Sequence, residues 1–527
     1  MQKTLDIAVS PQEAATPELL KLILQQEAGI PLDLAFNYQI QKRSIDARGR
    51  KVKIRLRVDI FDNEPIMSLF SGKFHYPNVS NSQPVIIVGA GPAGLFAALR
   101  LIELGLKPTI LERGKDVRSR RRDIADINKK HIVNSDSNYC FGEGGAGTYS
   151  DGKLYTRSKK RGDLKRILEI FVAHGATDQI LVDAHPHIGT NKLPNVVTAI
   201  RESIVEAGGE IHFDSRVEDF IISNSQITGV KIAGGVSFNA KAVLLATGHS
   251  ARDIFRLLQR KGVHVEAKPF ALGVRIEHPQ SVIDSIQYHC DSRGEYLPAA
   301  SYSLVDQVKL KKSQHGVFSF CMCPGGFIVP SATSPGEVVV NGMSPSRRDS
   351  KFANSGIVVS VELEHLKEFQ QYKELAAMEF QAAVEQKAWA MGGKTQTAPA
   401  QRMVDFVEGR FSSTLPETSY QPGLESVQMR EVLPDFITES LRQGFRSFGK
   451  KMRGYLSNDA VIVGVESRTS SPVRIPRDPI TLEHQQIAGL FPCGEGAGYA
   501  GGIVSAAMDG ERVAEQIAVK MGKTISF

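Results

Sequence analysis

Val85-Ile86-Ile87-Val88 runs straight into Gly89-Ala90-Gly91-Pro92-Ala93-Gly94, and the residues that follow take up a helical period through Leu104. A β-branched run, apolar at every position, is a strand covered on both faces, which is a property of parallel sheets. No other stretch restricts the fold so far. In G-x-G-x-x-G the first glycine permits a tight turn, the second lets backbone approach a pyrophosphate, and the third lets helix and strand pack closely. The helix start adds unpaired N–H groups and partial positive charge. A second strand, Pro108 to Leu111, ends in Glu112 and Arg113. Glu112 lies about 20 residues past the middle glycine, where a carboxylate accepts hydrogen bonds from an adenosine ribose.

The same grammar returns near the C-terminus. Gly489-Leu490-Phe491-Pro492-Cys493-Gly494-Glu495-Gly496-Ala497-Gly498 leads through Tyr499-Ala500-Gly501-Gly502-Ile503 into a helix, and Leu244-Leu245-Ala246-Thr247-Gly248 ends a third strand. Together these three junctions resemble the two-motif flavoproteins. That resemblance implies FAD, with Gly494 and Glu495 toward its ribityl and pyrophosphate portion, Gly501, Gly502 and Ile503 toward the isoalloxazine, and Thr247 and Gly248 at an A-T-G strand end.

Further strings narrow it: Asn138-Tyr139-Cys140-Phe141-Gly142-Glu143-Gly144-Gly145-Ala146-Gly147, Pro186-His187-Ile188-Gly189-Thr190, Cys321-Met322-Cys323-Pro324-Gly325-Gly326 and Gly464-Val465-Glu466-Ser467-Arg468. Over nearly its whole length the chain resembles the uncharacterised FAD-dependent dehydrogenases, NAD(P)/FAD-dependent oxidoreductases related to BaiN-like and geranylgeranyl-reductase-like flavoproteins. The implied fold class is α/β: a Rossmann-like FAD-binding domain in two segments, of glutathione-reductase type, with an inserted mixed α+β substrate domain and a small N-terminal α+β domain. The expected division is 1–82 for a β-α-β-β module, 83–256 and 481–527 for the FAD-binding domain, and 257–480 for the insertion. Pro77 to Ser82 reads as a polar linker. Within the insertion, Val361 to Met391 reads as one long polar helix and Pro434 to Tyr455 as an amphipathic one.

Composition excludes other classes. The chain has 527 residues, of which 42% are hydrophobic, so it is neither disordered nor a disulfide-stapled miniprotein. Five cysteines, an odd and small number, argue against a secreted disulfide framework. The first residues lack a signal peptide's apolar core, and Pro84 to Leu106 is too interrupted by glycine, proline and charge for a membrane span. A cytoplasmic protein without a transmembrane segment is expected. The net charge of +7 is modest; it suits acidic small molecules or an acidic redox partner as well as nucleic acid. No nucleic acid is expected, although the basic runs Arg118 to Arg122 and Arg157 to Arg161 leave an RNA-binding flavoprotein as the alternative reading.

Candidate chemistry follows from residue type. Gly144, Gly145, Ala146 and Gly147 form a loop whose N–H groups can meet a flavin or its phosphates, and Lys153 brings positive charge nearby. Cys321 and Cys323 are candidate redox thiols, packing residues, or partners of His185 and His187 in a zinc site of non-standard spacing. No metal is expected. His187 is a candidate general acid or base, and Glu466 and Arg468 are candidates to bind an anionic substrate or to pair with each other. No second dinucleotide motif of comparable context is present, so NAD(P)H is expected only as a transient visitor. The expected activity is hydride or electron transfer between FAD and an organic small molecule.

Overall fold

The computed structural model describes residues 2–31, 33–62, 69–70, 72, 74–156, 162–310 and 313–524. The basic run 157–161 lies outside the described residues. A five-stranded sheet carries the motif region, in the order Leu490–Pro492, Val243–Leu245, Pro84–Val88, Lys107–Leu111, Glu210–His212. All four pairings are parallel. Val85, Ile86, Ile87 and Val88 are buried, as a central strand covered on both faces requires. The strand near residue 490 thus lies one strand away from the strand near residue 85, and their helices, Pro92–Glu103 and Ile503–Lys520, pack against each other. A Cβ on Gly510 would stand 2.2 Å from the Ala93 carbonyl oxygen, so that contact is backbone against backbone.

The second large sheet has seven strands, ordered Val305–Leu310, Ser313–Cys323, Phe352–Val361, Phe270–Pro279, Val461–Glu466, Ala398–Arg402, Leu424–Ser426. It is antiparallel except for its last pair. Helix Asp435–Lys451 lies on it and buries Ile437, Leu441, Phe445 and Phe448, whose spacing is that of one helical stripe. The expected long polar helix from Val361 to Met391 is corrected: Val361 ends a strand, 3₁₀ turns with a kink occupy Leu363–Leu375, and the helix Ala376–Met391 is largely buried. Gln381 and Glu385 face the buried Arg252, a polar pairing that a polarity count reads as solvent exposure.

The N-terminal segment forms a three-stranded antiparallel sheet, Gln2–Val9 and Phe36–Asp46 flanking Lys53–Asp62, with helices Pro11–Ala15 and Pro17–Ala28 across it. The single helix expected is the second, and a short one precedes it, because Thr16 caps the first and Pro17 opens the second. Arg43 lies on a strand and pairs with Asp183 at 2.8 Å, while its backbone bonds Val182 and Ala184. The expected linker also holds on: Val79 is 1% exposed and its N–H donates to the Ala207 carbonyl. Among the described residues no helix is long and apolar enough to cross a membrane.

Candidate functional site

The strand ends of the five-stranded sheet open on a cleft of about 1540 Å³, counted with its solvent-facing mouth. Gly89, Gly91, Pro92 and Ala93 line it from the first junction; Gly494, Glu495, Gly502 and Ile503 line it from the last; Thr247 and Gly248 come from the strand between. Glu112, Arg113, Gly145, Ala146, Gly147 and Lys153 complete that wall. Opposite stand Phe320, Cys321 and Asn341 of the second sheet region, with Arg468 and Thr469. The cleft therefore reaches from the glycine junctions of one sheet to the strand ends of the other.

Three predicted glycines do not line this cleft. A Cβ on Gly94 would meet the Gly89 carbonyl oxygen at 2.0 Å, so its absence brings helix onto strand. Gly144 sits at φ 75° and would place a Cβ 1.9 Å from Thr148 Oγ1. Gly501 precedes the helix cap Gly502 and faces the Glu495 side chain. All three shape the junctions without lining the cleft.

Glu112 is more occupied than its sequence position implies. One carboxylate oxygen accepts from the Ala90 N–H at 2.8 Å; the other accepts from Gly114 and Gly142, each at 2.9 Å. It braces the glycine turn and the loop 142–147 from one point. Arg113 pairs with Asp136 and Asp253 and lies over the Phe141 ring. Glu495 stands 3.5 Å from His249.

Residues that the sequence did not single out hold the cleft in shape. Arg120, read as part of a basic surface run, is fully buried; its guanidinium donates to the carbonyls of Asn138, Tyr139, Glu143 and Gly145 at 2.7–2.9 Å. Arg477 donates to both oxygens of Asp509, and Asp509 accepts from the Gly494 N–H at 2.8 Å, which fixes the C-terminal junction. An isolated arginine or aspartate carries no periodic signal, so only the tertiary contacts reveal these roles.

Lys153 reaches across to the far wall, where it donates to the Met322 carbonyl, and it stands 3.7 Å from Asp151. Burial works against its charge, yet Cys323, Cys321 and Asp151 together hold its pKa above the ordinary lysine value. Cys321 moves the other way: a hydrogen bond from Cys323, aided by Lys153 and Arg275 against burial, pulls its thiol down to about 5. Cys323 is fully buried and is pushed up by the same pairing. Both are free thiols.

His187 does not line the cleft; its Nε2 meets the Ser346 carbonyl at 3.1 Å, and burial followed by Arg348 lowers its pKa. His185 lies tilted against the Tyr155 ring, their centroids 4.8 Å apart. Among the described residues no group of His, Cys, Asp and Glu is arranged to hold a metal, so the zinc alternative is not assembled. The pairing of Glu466 with Arg468 is corrected as well. Glu466 bonds Arg275 at 2.5 Å, and burial raises it to about 7 against that arginine's pull. Arg468 instead bridges Glu337 and Glu385, beside Arg252, because the strand ends at Glu466 and the two side chains leave it in different directions.

Residues 269–469 match the family described as FAD-dependent protein, C-terminal domain-like, residues 82–128 match an FAD binding domain, and residues 1–61 match a domain of unknown function. An uncharacterized protein of Clostridium beijerinckii is 41% identical over 501 residues, which cover 91% of this chain and 92% of that protein. The chain belongs to this family of FAD-dependent proteins. Part of the flavoprotein is also similar to the thiamine thiazole synthase of Aeropyrum pernix, at 28% identity over 33% of this chain and 58% of that one. Among solved structures, it is similar to the flavin-dependent brominase Bmp2 (TM-score 0.35, 16% identity, 84% of this chain and 79% of that one). It is likewise similar to a geranylgeranyl bacteriochlorophyll reductase-like protein of Thermoplasma acidophilum (TM-score 0.34, 13% identity, 84% and 80%).

The residues present fit FAD. Glycine junctions from widely separated parts of the sequence line one cleft, and at Gly91, Gly248 and Gly502 a Cβ would stand in open space with nothing within 4 Å.

Proposed function

We propose that this flavoprotein is an oxidoreductase that transfers hydride or electrons between its bound FAD and an organic small molecule. One observation carries the reading: a single cleft joins the glycine junctions at residues 89–94 and 494–503 to the charged and thiol-bearing residues Lys153, Cys321 and Arg468. The order of strands supports a two-segment FAD-binding domain of glutathione-reductase type, formed by 83–256 and 481–527, with 257–480 as the substrate-bearing insertion and 1–82 as an accessory module.

FAD supplies reversible two-electron chemistry. Gly89 to Ala93 would take its pyrophosphate at a helix N-terminus, and Glu112 would keep that turn in register through its three amide contacts. The helix beginning at Ile503 turns its N-terminal partial positive charge into the cleft. Lys153, charged at neutral pH, places a full positive charge on the same wall, where negative charge that develops on the ring would be stabilised. His187 contributes position rather than proton transfer at the cleft, since its ring is tied to Ser346 outside the lining.

The test is anaerobic. Purified protein should release FAD on denaturation, and its visible absorbance should bleach with NADH, NADPH or reduced ferredoxin and return with an organic acceptor. Protein that carries FAD but neither bleaches nor reoxidises with any pair would overturn the enzymatic reading. The RNA alternative has no support from the basic run at 118–122, since Arg120 is buried under the loop that it holds.

A further inference from the structure

Two thiols meet at the end of the cleft opposite the glycine junctions. Cys321 and Cys323 close the strand Ser313–Cys323, whose pairing with Phe352–Val361 is irregular between Phe320 and Cys323. In an unbroken strand, residues two apart share a face but stand about 6.6 Å apart along the chain, wide for sulfur contact. Cys321 sits at φ 46° in this irregularity, which departs from regular strand geometry. The Cys323 sulfur then lies 3.3 Å from the Cys321 carbonyl oxygen and hydrogen-bonds the Cys321 side chain.

Cations hold the pair from two sides. Buried Arg275 donates to the Cys321 carbonyl at 2.7 Å and reaches the Cys323 sulfur at 3.6 Å, while Lys153 donates to the carbonyl of Met322 between them. Such surroundings favour negative charge on Cys321, whose thiol pKa they lower, over Cys323, whose thiol pKa is raised. Cys321 lines the cleft and Cys323 lies behind it. The remaining cysteines are placed differently; Cys493, for example, is buried beside Asp509, which with burial raises its thiol pKa.

We propose that Cys321 and Cys323 are a redox-active dithiol that exchanges an electron pair with the bound FAD. The inference rests on the FAD reading above and extends it with a second electron store. In the oxidative direction the S–S bond forms between the two sulfurs, the Cys323 S–H bond breaks, and the electron pair with that proton passes to FAD, the oxidant. The reverse direction cleaves S–S with the pair from reduced FAD, leaving the Cys321 thiolate and protonated Cys323. Lys153 and Arg275 act as positioning residues, keeping the leaving sulfur anionic.

The experiment uses holoprotein oxidised with diamide and desalted without oxygen. In dithionite titration, wild type should take up ~4 electrons per FAD, ~2 for the disulfide and ~2 for the flavin. Complete bleaching should be delayed correspondingly. Cys321→Ser and Cys323→Ser should each bleach fully with ~2 electrons. Acid quench, alkylation and peptide mass mapping should find the Cys321–Cys323 peptide unalkylated after diamide and doubly alkylated after full reduction. Wild type that bleaches with ~2 electrons while both cysteines remain alkylatable overturns the dithiol. A disulfide that forms without altering the titration overturns its exchange with FAD. Absence of releasable FAD, visible before any cysteine chemistry, overturns the FAD reading separately, since the mass map still reports on the thiols.

Discussion

Replacing Arg120 with methionine tests whether a buried cation, rather than the glycines alone, shapes the cofactor wall. Methionine keeps most of the side-chain length and loses the fork. Two carbonyls, those of Asn138 and Tyr139, lose their donor inside the protein, whereas those of Glu143 and Gly145 keep the Thr148 hydroxyl and N–H. Each unpaired buried acceptor costs about 1–3 kcal/mol, so the gross penalty is about 2–6 kcal/mol. Burying the guanidinium is itself unfavourable, and its removal returns part of that sum, which leaves about 1–4 kcal/mol as the expected net loss. The loop 142–147 should loosen before the sheet does, because its amides and carbonyls have no strand partner to fall back on. In thermal scans with flavin fluorescence as reporter, Arg120→Met should release FAD well below the wild-type temperature and retain less FAD through desalting. Arg120→Lys, with charge but without the planar fork, should fall between them. Equal release temperature and FAD content in wild type and Arg120→Met would refute the reasoning.

Gly94→Ala should abolish FAD loading and lower soluble yield, because its Cβ would stand 2.0 Å from the Gly89 carbonyl oxygen and force helix from strand; FAD content per chain reports it. Glu112→Gln presents an NH₂ group toward amide donors, and a loss of about 1–3 kcal/mol in FAD affinity is expected by fluorescence titration of deflavinated protein. His278 is buried and bonds the Tyr455 carbonyl, and burial pulls its pKa down to about 4 from 6.5. The unfolded chain therefore binds a proton that the native one refuses, so stability is lost as pH falls from about 6.5 to about 4, by up to about 3 kcal/mol. Denaturant midpoints over that range should fall less in His278→Gln than in wild type.

The FAD-binding family was legible because its motif depends on glycine at a fixed spacing beside a strand, a local rule that survives translation into three dimensions. Gly89 and Gly91 and the junction at 494–503 reach one cleft, while Glu112 turned out to be taken up by the amides of Ala90, Gly114 and Gly142. Cys321 and Cys323 were legible as a pair, but their asymmetry was not. It comes from Arg275, 46 residues earlier in the chain on another strand of the same sheet, and Lys153, still farther away in a loop segment bridged to His187. Glu466 and Arg468 show the opposite failure. Two residues apart suggests one strand face, yet the strand stops at Glu466 and each charge finds its own buried partner.

By itself, the sequence determined that a parallel sheet would present glycine turns to a dinucleotide at two widely separated places, since backbone geometry near glycine is decided within a few residues. Only the tertiary structure decided which charges are spent in the interior. Arg120, Arg275, Arg468 and Arg477 look like surface residues one at a time, and each is buried against carbonyls or carboxylates contributed by other parts of the chain. A buried charge persists only where several distant partners converge on it, and that convergence is a property of the packed molecule rather than of any stretch of it.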